Sequence, residues 1–207
     1  MMTLRMIRRT FGLALVTVLL VGCVSLFPKS QPSQLYRFGT NLAASGPASV
    51  QKIGVIRSGG SFALASAGDG ILTTTGTQVA YLSGARWAQP APVLFDEAIV
   101  RAFSQNPGAV QLVVRGEPAR AAYSLRIDVQ GFEAVYDRPG KAAPDVRLTV
   151  HVVVVRAGDR SVVADQTISI AERAPDNRVG AIVGAFDLAV SKAIAEILRI
   201  TNAAVSA

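Results

Sequence analysis

The chain has 207 residues, enough for one ordinary domain or a domain with an appendage, and too few for two large ones. Half of the residues are apolar and only 17% are charged, which excludes intrinsic disorder as a description of the whole. One cysteine, Cys23, and one histidine, His151, exclude an internal disulfide framework, a multi-cysteine zinc site and a two-histidine metal site. The formal charge of +7 invites a nucleic-acid partner, and the N-terminus argues against one.

Arg5, Arg8 and Arg9 form a basic stretch with no acid beside them, and residues 11–21 follow as an apolar run broken only by Gly12 and Thr17. Such a run is too short for a hydrocarbon core of roughly 30 Å and has the length of a secretory h-region. It ends in Leu20-Val21-Gly22-Cys23, which resembles the bacterial lipobox, where a peptidase cuts before a cysteine already carrying a diacylglyceryl group. The reading is a lipoprotein signal over 1–22, a lipidated flexible tether over 23–34, a domain over 35–200 and a C-terminal tail over 201–207. Two or three acyl chains anchor stably where one does not. Arg8-Arg9-Thr10-Phe11 partly resembles a twin-arginine motif, so the export route stays open. Val24 stands after the cysteine where an aspartate would favour retention in the inner membrane, which points to the outer one. Cleavage removes three arginines and no acid, leaving 18 basic and 14 acidic groups. The residual +4 is scattered and makes no case for nucleic acid.

Leu35-Tyr36-Arg37-Phe38 reads as a first short strand, and Ile53, Val55 and Ile56 as a second. Glycine, alanine and serine then mark a loop as far as Gly70. Residues 71–75 and 78–83, separated by Gly76-Thr77, predict a hairpin. Over 92–105 the period changes: Phe95, Ala98, Ile99, Ala102 and Phe103 predict an amphipathic helix opened by Pro90 and Pro92 and ended by Asn106-Pro107-Gly108. A strand is expected over 110–114. Tyr123, Leu125, Ile127 and Val129 alternate with polar residues, and after Gly131 the apolar set shifts to Phe132, Ala134 and Tyr136, as a β-bulge would produce. Val146, Leu148, Val150, Val152 and Val154 define one face of a long strand, and Val162, Ala164, Ile168 and Ile170 a third strand of an antiparallel meander. Residues 177–200 predict a second amphipathic helix with Asp176 as its cap. The fold expected is α/β (α+β): a single two-layer domain with a mixed, largely antiparallel sheet and two amphipathic helices packed on it.

Catalytic patterns are missing from the sequence. His151 sits in a strand between valines, Gly68-Asp69-Gly70 lacks the third glycine of a dinucleotide fingerprint, and neither a phosphate loop nor a Gly-x-Ser-x-Gly elbow occurs. The expectation is a protein that is not an enzyme, with no cofactor and no metal. Trp87 has two readings, a packing anchor that closes the hairpin onto the first helix or an aromatic contact for a partner or lipid. Arg86 and Tyr81 join it as candidates for partner contact.

The lipobox, Leu35-Tyr36-Arg37-Phe38 and Ile53-Gly54-Val55 resemble the start of the ABC-type transport auxiliary lipoproteins. Residues 79–88, Val-Ala-Tyr-Leu-Ser-Gly-Ala-Arg-Trp-Ala, followed by Pro92 and a helix, carry the resemblance further. So do residues 123–129 with Phe132 and Tyr136-Asp137, and Ala174-Pro175 ahead of Ala185-Phe186-Asp187. One departure stands at residues 58–64, Ser-Gly-Gly-Ser-Phe-Ala-Leu, where members often carry Pro-x-Tyr/Ala-Leu-Asp. The resemblance implies an outer-membrane-anchored periplasmic accessory lipoprotein. Its partners would be a periplasmic MCE-domain protein, an ABC permease and its ATPase, in a system moving phospholipids or other hydrophobic compounds. It would act by tethering and docking, with a homo-oligomer left open. The alternative is an envelope structural or assembly lipoprotein not coupled to a transporter.

Overall fold

A computed structural model describes residues 32–42, 51–113, 120–138, 140 and 142–206. The strands are β1 (Gln34–Tyr36), β2 (Ile53–Arg57), β3 (Gly70–Thr75), β4 (Gln78–Trp87), β5 (Val110–Val113), β6 (Tyr123–Val135), β7 (Asp145–Arg156) and β8 (Val162–Arg173). The helices are α1 (Ala91–Gln105) and α2 (Val179–Ser206), with a single 3-10 turn at Leu64–Ser66. Together they make the mixed α/β domain that the patterning predicts.

All eight strands belong to one sheet, and it forks at β6. One edge of β6 pairs along its whole length with β7, and β7 pairs with β8, both antiparallel. The other edge is shared: β2 pairs in parallel with Tyr123–Leu125, and β3 in parallel with Ala134 and Val135. Beyond β2 lies β5, and beyond β3 lie β4 and then β1. The long pairings are antiparallel, and the parallel ones cover two to four residues each.

The expected bulge is present. Val129 faces Val150 and Gly131 faces Thr149, so Gln130 is the extra residue. The shift keeps Leu125, Ile127 and Val129 before it, and Phe132 and Ala134 after it, on the same buried face. Opposite them Val146, Leu148, Val150, Val152 and Val154 are fully buried. In β8 the alternation holds as far as Ala164, and a second register shift then leaves Val162 exposed rather than on the core face.

Both helices lie against this buried face. Pro90 and Pro92 open α1, and its carbonyl end is capped by Lys52, whose Nζ donates to Gly108 O (2.5 Å) and Asn106 O (3.2 Å). Helix α2 starts at Val179 and runs through Ser206, so residues 201–206 are its last turns and not a tail. Thr201, Ala204 and Val205 are buried there. Asn202 accepts from the Val110 N–H (3.2 Å) and so ties that end of α2 to β5. Asp176, two residues ahead of Arg178, pairs with its guanidinium (2.5 Å).

The loop between β2 and β3 fills the fork. Ser58 N–H donates to Leu125 O, Val129 N–H to Ser61 O and Ala63 N–H to Val129 O, so residues 58–63 run along the middle of β6. At Gly60 (φ +136°) a Cβ would lie 2.3 Å from Ile127 O, and only glycine fits. The Ser-Gly-Gly-Ser departure from the family pattern thus follows the β6 backbone.

Candidate docking surface

Strand β4 carries the three partner-contact candidates, and its geometry separates them. The register places Leu72 opposite Tyr81 and Gly70 opposite Arg86, with an irregularity between the two pairs and Gly84 at φ +69°. Leu72 and Gly70 are two apart on β3, so Tyr81 and Arg86 share the face of the sheet turned away from the helices. Trp87 points the other way.

Trp87 is only 2% exposed, with its ring edge-on to Phe38 (4.9 Å between centroids) and Phe186 (5.3 Å). This is the packing-anchor reading. As a partner contact Trp87 is corrected by its burial, because Phe38 and Phe186 already occupy its faces. It belongs to β4 and not to the connection after it, so it joins the sheet to α2 rather than closing a hairpin onto α1.

Tyr81 and Arg86 are exposed. The Tyr81 hydroxyl donates to Ala65 O (2.9 Å) in the 3-10 turn, and Arg86 Nη1 donates to Asp69 Oδ1 (2.9 Å). The Tyr81 ring lies over Gly70, where a Cβ would sit 2.6 Å from Cδ1. Ser33, Asp69, Tyr81 and Arg86 line one depression of about 450 Å³. Around it stand Leu64 (91% exposed), Leu35 (66%), Val79 (61%) and Tyr81 itself (60%). Leu35 is opposite Arg86 in the β1–β4 register, and Val79 is two residues from Tyr81. Leu64 precedes the carbonyl that Tyr81 binds. Sequence reasoning named Tyr81 and Arg86 but not the leucines and the valine. The bulge at Gly84 hides the common face from an alternation count, and Leu64 sits in what reads as a loop.

A second concavity, about 810 Å³, runs between α1 and the β2–β5 edge, lined by Lys52, Ile56, Arg57, Asp96, Val100 and Phe103 among others. Arg57 pairs with Asp96 across it. Burial pushes the Arg57 guanidinium below its ordinary range, and its Nε has no hydrogen-bond partner among the described residues.

On the helix-free face of the meander, His151 Nε2 lies 2.7 Å from Asp165 Oδ1, and its Nδ1 lies 3.8 Å from Asp128 Oδ2. Burial alone would raise Asp128, but hydrogen bonds from Ser61 and Arg126 outweigh it and hold the carboxyl below its usual range. The Ser61 hydroxyl donates to Asp128 Oδ1 (2.8 Å), not to the imidazole. That is not the arrangement in which a histidine activates a serine. Among the described residues no group of three or more His, Cys, Asp or Glu side chains is placed to hold a metal, and no helix is long and apolar enough to cross a membrane. Cys23 lies outside the described residues.

The fold is shared with proteins of known structure. Protein XCC0632 of Xanthomonas campestris, described as DUF330, is 23% identical with a TM-score of 0.69, over 84% of this chain and 97% of that one. An uncharacterized protein is 14% identical with a TM-score of 0.62, over 82% and 98%. Hypothetical protein CT253 of Chlamydia trachomatis is 11% identical with a TM-score of 0.50, over 74% and 98%. No protein of curated function matches the sequence. The family model for the ABC-type transport auxiliary lipoprotein component matches residues 67–198, from the end of the β2–β3 loop through most of α2. The chain belongs to the ABC-type transport auxiliary lipoprotein family.

Proposed function

We propose that this protein is an accessory lipoprotein of an ABC-type transport system, anchored through Cys23 to the periplasmic face of the outer membrane. There it docks a periplasmic MCE-domain protein served by an inner-membrane permease and ATPase. The cargo class is phospholipid or another hydrophobic compound. The carrying observation is the family match over residues 67–198 together with a lipobox that ends on the sole cysteine. The protein itself performs no chemistry: the ATPase supplies the energy, and the Ser61 hydroxyl, beside β6, donates its hydrogen bond to the Asp128 carboxylate rather than to the imidazole of His151. The anchor supplies effective concentration. A domain held within a tether's length of its membrane meets a partner as an intramolecular event, so a weak contact suffices.

Two measurements test this. Radiolabelled palmitate is expected to label wild type and not Cys23→Ala, and label on both would remove the lipid attachment from Cys23. Affinity capture from native membranes is expected to recover an MCE-domain protein with wild type and much less of it with Cys23→Ala. Recovery of envelope-assembly proteins in its place would favour a structural lipoprotein uncoupled from transport.

A further inference from the structure

We propose that the apolar surface around Tyr81 rests on the bilayer that holds the anchor, so that the domain sits in a fixed orientation on its membrane. The surface consists of Leu35, Val79 and Tyr81, on the face of the β1–β4–β3 edge opposite the helices, with Leu64 in the 3-10 turn whose Ala65 carbonyl Tyr81 binds. Half of the large exposed apolar side chains of the described domain lie here; the others are Val93 and Val100 on α1, both less exposed than any of the four, and Val162 and Leu188.

The occupant follows from where the chain enters the domain. Ser33 lines the same depression as Tyr81 and Arg86. It stands ten residues after Cys23. Ten residues reach at most about 35 Å fully extended, and a flexible chain of that length averages about 17 Å end to end. A compact domain of this size has a radius of gyration of about 16 Å and so measures about 40 Å across. The tether is therefore no longer than the body it holds, and the surface beside its exit is the one kept next to the lipid. This assignment rests on the lipid anchor at Cys23.

The chemistry of the surface suits an interface. Tyr81 lies over Gly70 with its outer ring face exposed and its hydroxyl satisfied by Ala65 O, so the ring can meet apolar chains without stranding a polar group. Arg86 and Asp69 pair at the rim, so these two charges meet the headgroups already neutralised, and Arg37, exposed two residues from Leu35, adds a cation suited to anionic headgroups. Leu64, the most exposed of the set, stands on a one-turn projection. Four apolar side chains bind lipid weakly by themselves. Held there by acyl chains, the same four are enough to choose which side of the domain faces down.

The test uses the acylated full chain in vesicles of phosphatidylethanolamine and phosphatidylglycerol. With Cys23 blocked by its lipid, Leu64→Cys or Val79→Cys introduces the only free thiol, to which an environment-sensitive fluorophore is attached. On reconstitution the label at either position is expected to shift to the blue, brighten several-fold and be quenched by lipids brominated in their chains. A label at Leu188→Cys on α2 is expected to stay in water. Adding Tyr81→Asp to Leu64→Cys should reverse most of the gain. A water-exposed label in vesicles overturns the proposal. So does a label already shielded in Cys23→Ala protein free of lipid and detergent, which would mean that a second copy or the tether itself covers the surface, and so does one shielded only when a protein partner is added. Intact mass on the same samples separates the two levels: an acylated Cys23 with an exposed label sinks the orientation alone. An unacylated Cys23 sinks the lipoprotein reading and the orientation with it.

Discussion

Phe132 shows how a single side chain holds the two layers together. Its ring meets Phe186 of α2 at 4.8 Å, Phe38 at 5.1 Å, Phe62 of the fork loop at 5.7 Å and Trp87 at 6.0 Å. Most of these contacts are edge-on, the geometry that adds to simple burial. Phe132→Ala is expected to lower stability by about 3–5 kcal/mol. Urea unfolding followed by Trp87 emission measures it, since the only tryptophan is buried beside the substitution and reports the loss of its own packing. The sequence pointed to Phe132 through the phase change at Gly131. It did not show that residues as far apart as Phe38, Trp87 and Phe186 meet there, because nothing local in a chain records which distant rings share a core.

Among the described strands, β1 is the shortest and leans on a strap. Asp187 on α2 accepts from the Thr40 N–H (3.0 Å) and Asn41 Nδ2 (2.9 Å), and Ser191 Oγ donates to Asn41 O (3.0 Å). Gly39, at φ +71°, passes so close to α1 that a Cβ would lie 2.5 Å from the Ala98 Cβ. Asp187→Ala leaves the Thr40 N–H without that acceptor, a loss of about 1.5–3 kcal/mol for a bond to a charged group. Hydrogen exchange over residues 34–42 is expected to quicken by roughly tenfold or more, while protection of the β6–β7 ladder stays as it was. Equal quickening in both regions would show that Asp187 supports the whole domain and not the strap.

The same elements mark where sequence reasoning succeeds. The β6–β7–β8 meander and α1 were legible because each has an apolar face of the right period, and their partners are next in the chain. The far end of α2 was missed because Asn202-Ala203-Ala204-Val205 carries small residues that read as a tail, and only the packing of Asn202 on β5 explains them. The parallel pairings of β2 and β3 were not readable either, since two- or three-residue ladders leave no periodic trace. The exposed surface around Tyr81 was half legible: its polar and aromatic members were named, and its register-dependent ones were not.

At the scale of the whole molecule, carboxylates govern the response to acid. Ser161 donates to Asp159 from both hydroxyl and N–H and brings it to about 2. Arg199 holds Glu196 down, and Asp128 and Asp137 also lie below their ordinary range. For Asp137 the Arg173 charge and neighbouring hydrogen bonds outweigh a burial that would raise it. A folded-state value below the unfolded one means stability that is present above the unfolded value, near about 4, and lost as pH falls through the folded value. The unfolding midpoint is therefore expected to drop progressively below about pH 4. Asp128→Asn, which keeps the shape at the buried position, should flatten that drop. An unchanged acid slope would place the acid sensitivity elsewhere.

The fork at β6 has a consequence for the order in which the chain becomes available. Among the described residues, the β2–β5 pair and the β1–β4–β3 group are joined by main-chain hydrogen bonds through β6 and the residues that flank it, Ala122 and Tyr136. A chain delivered N-terminus first, by a ribosome or an export channel, holds both pieces with no shared strand until its second half arrives. Up to that moment the emerging part has one hairpin, one helix and short parallel pairings but no common sheet. The arrival of that one strand, β6, joins the two groups into a single sheet.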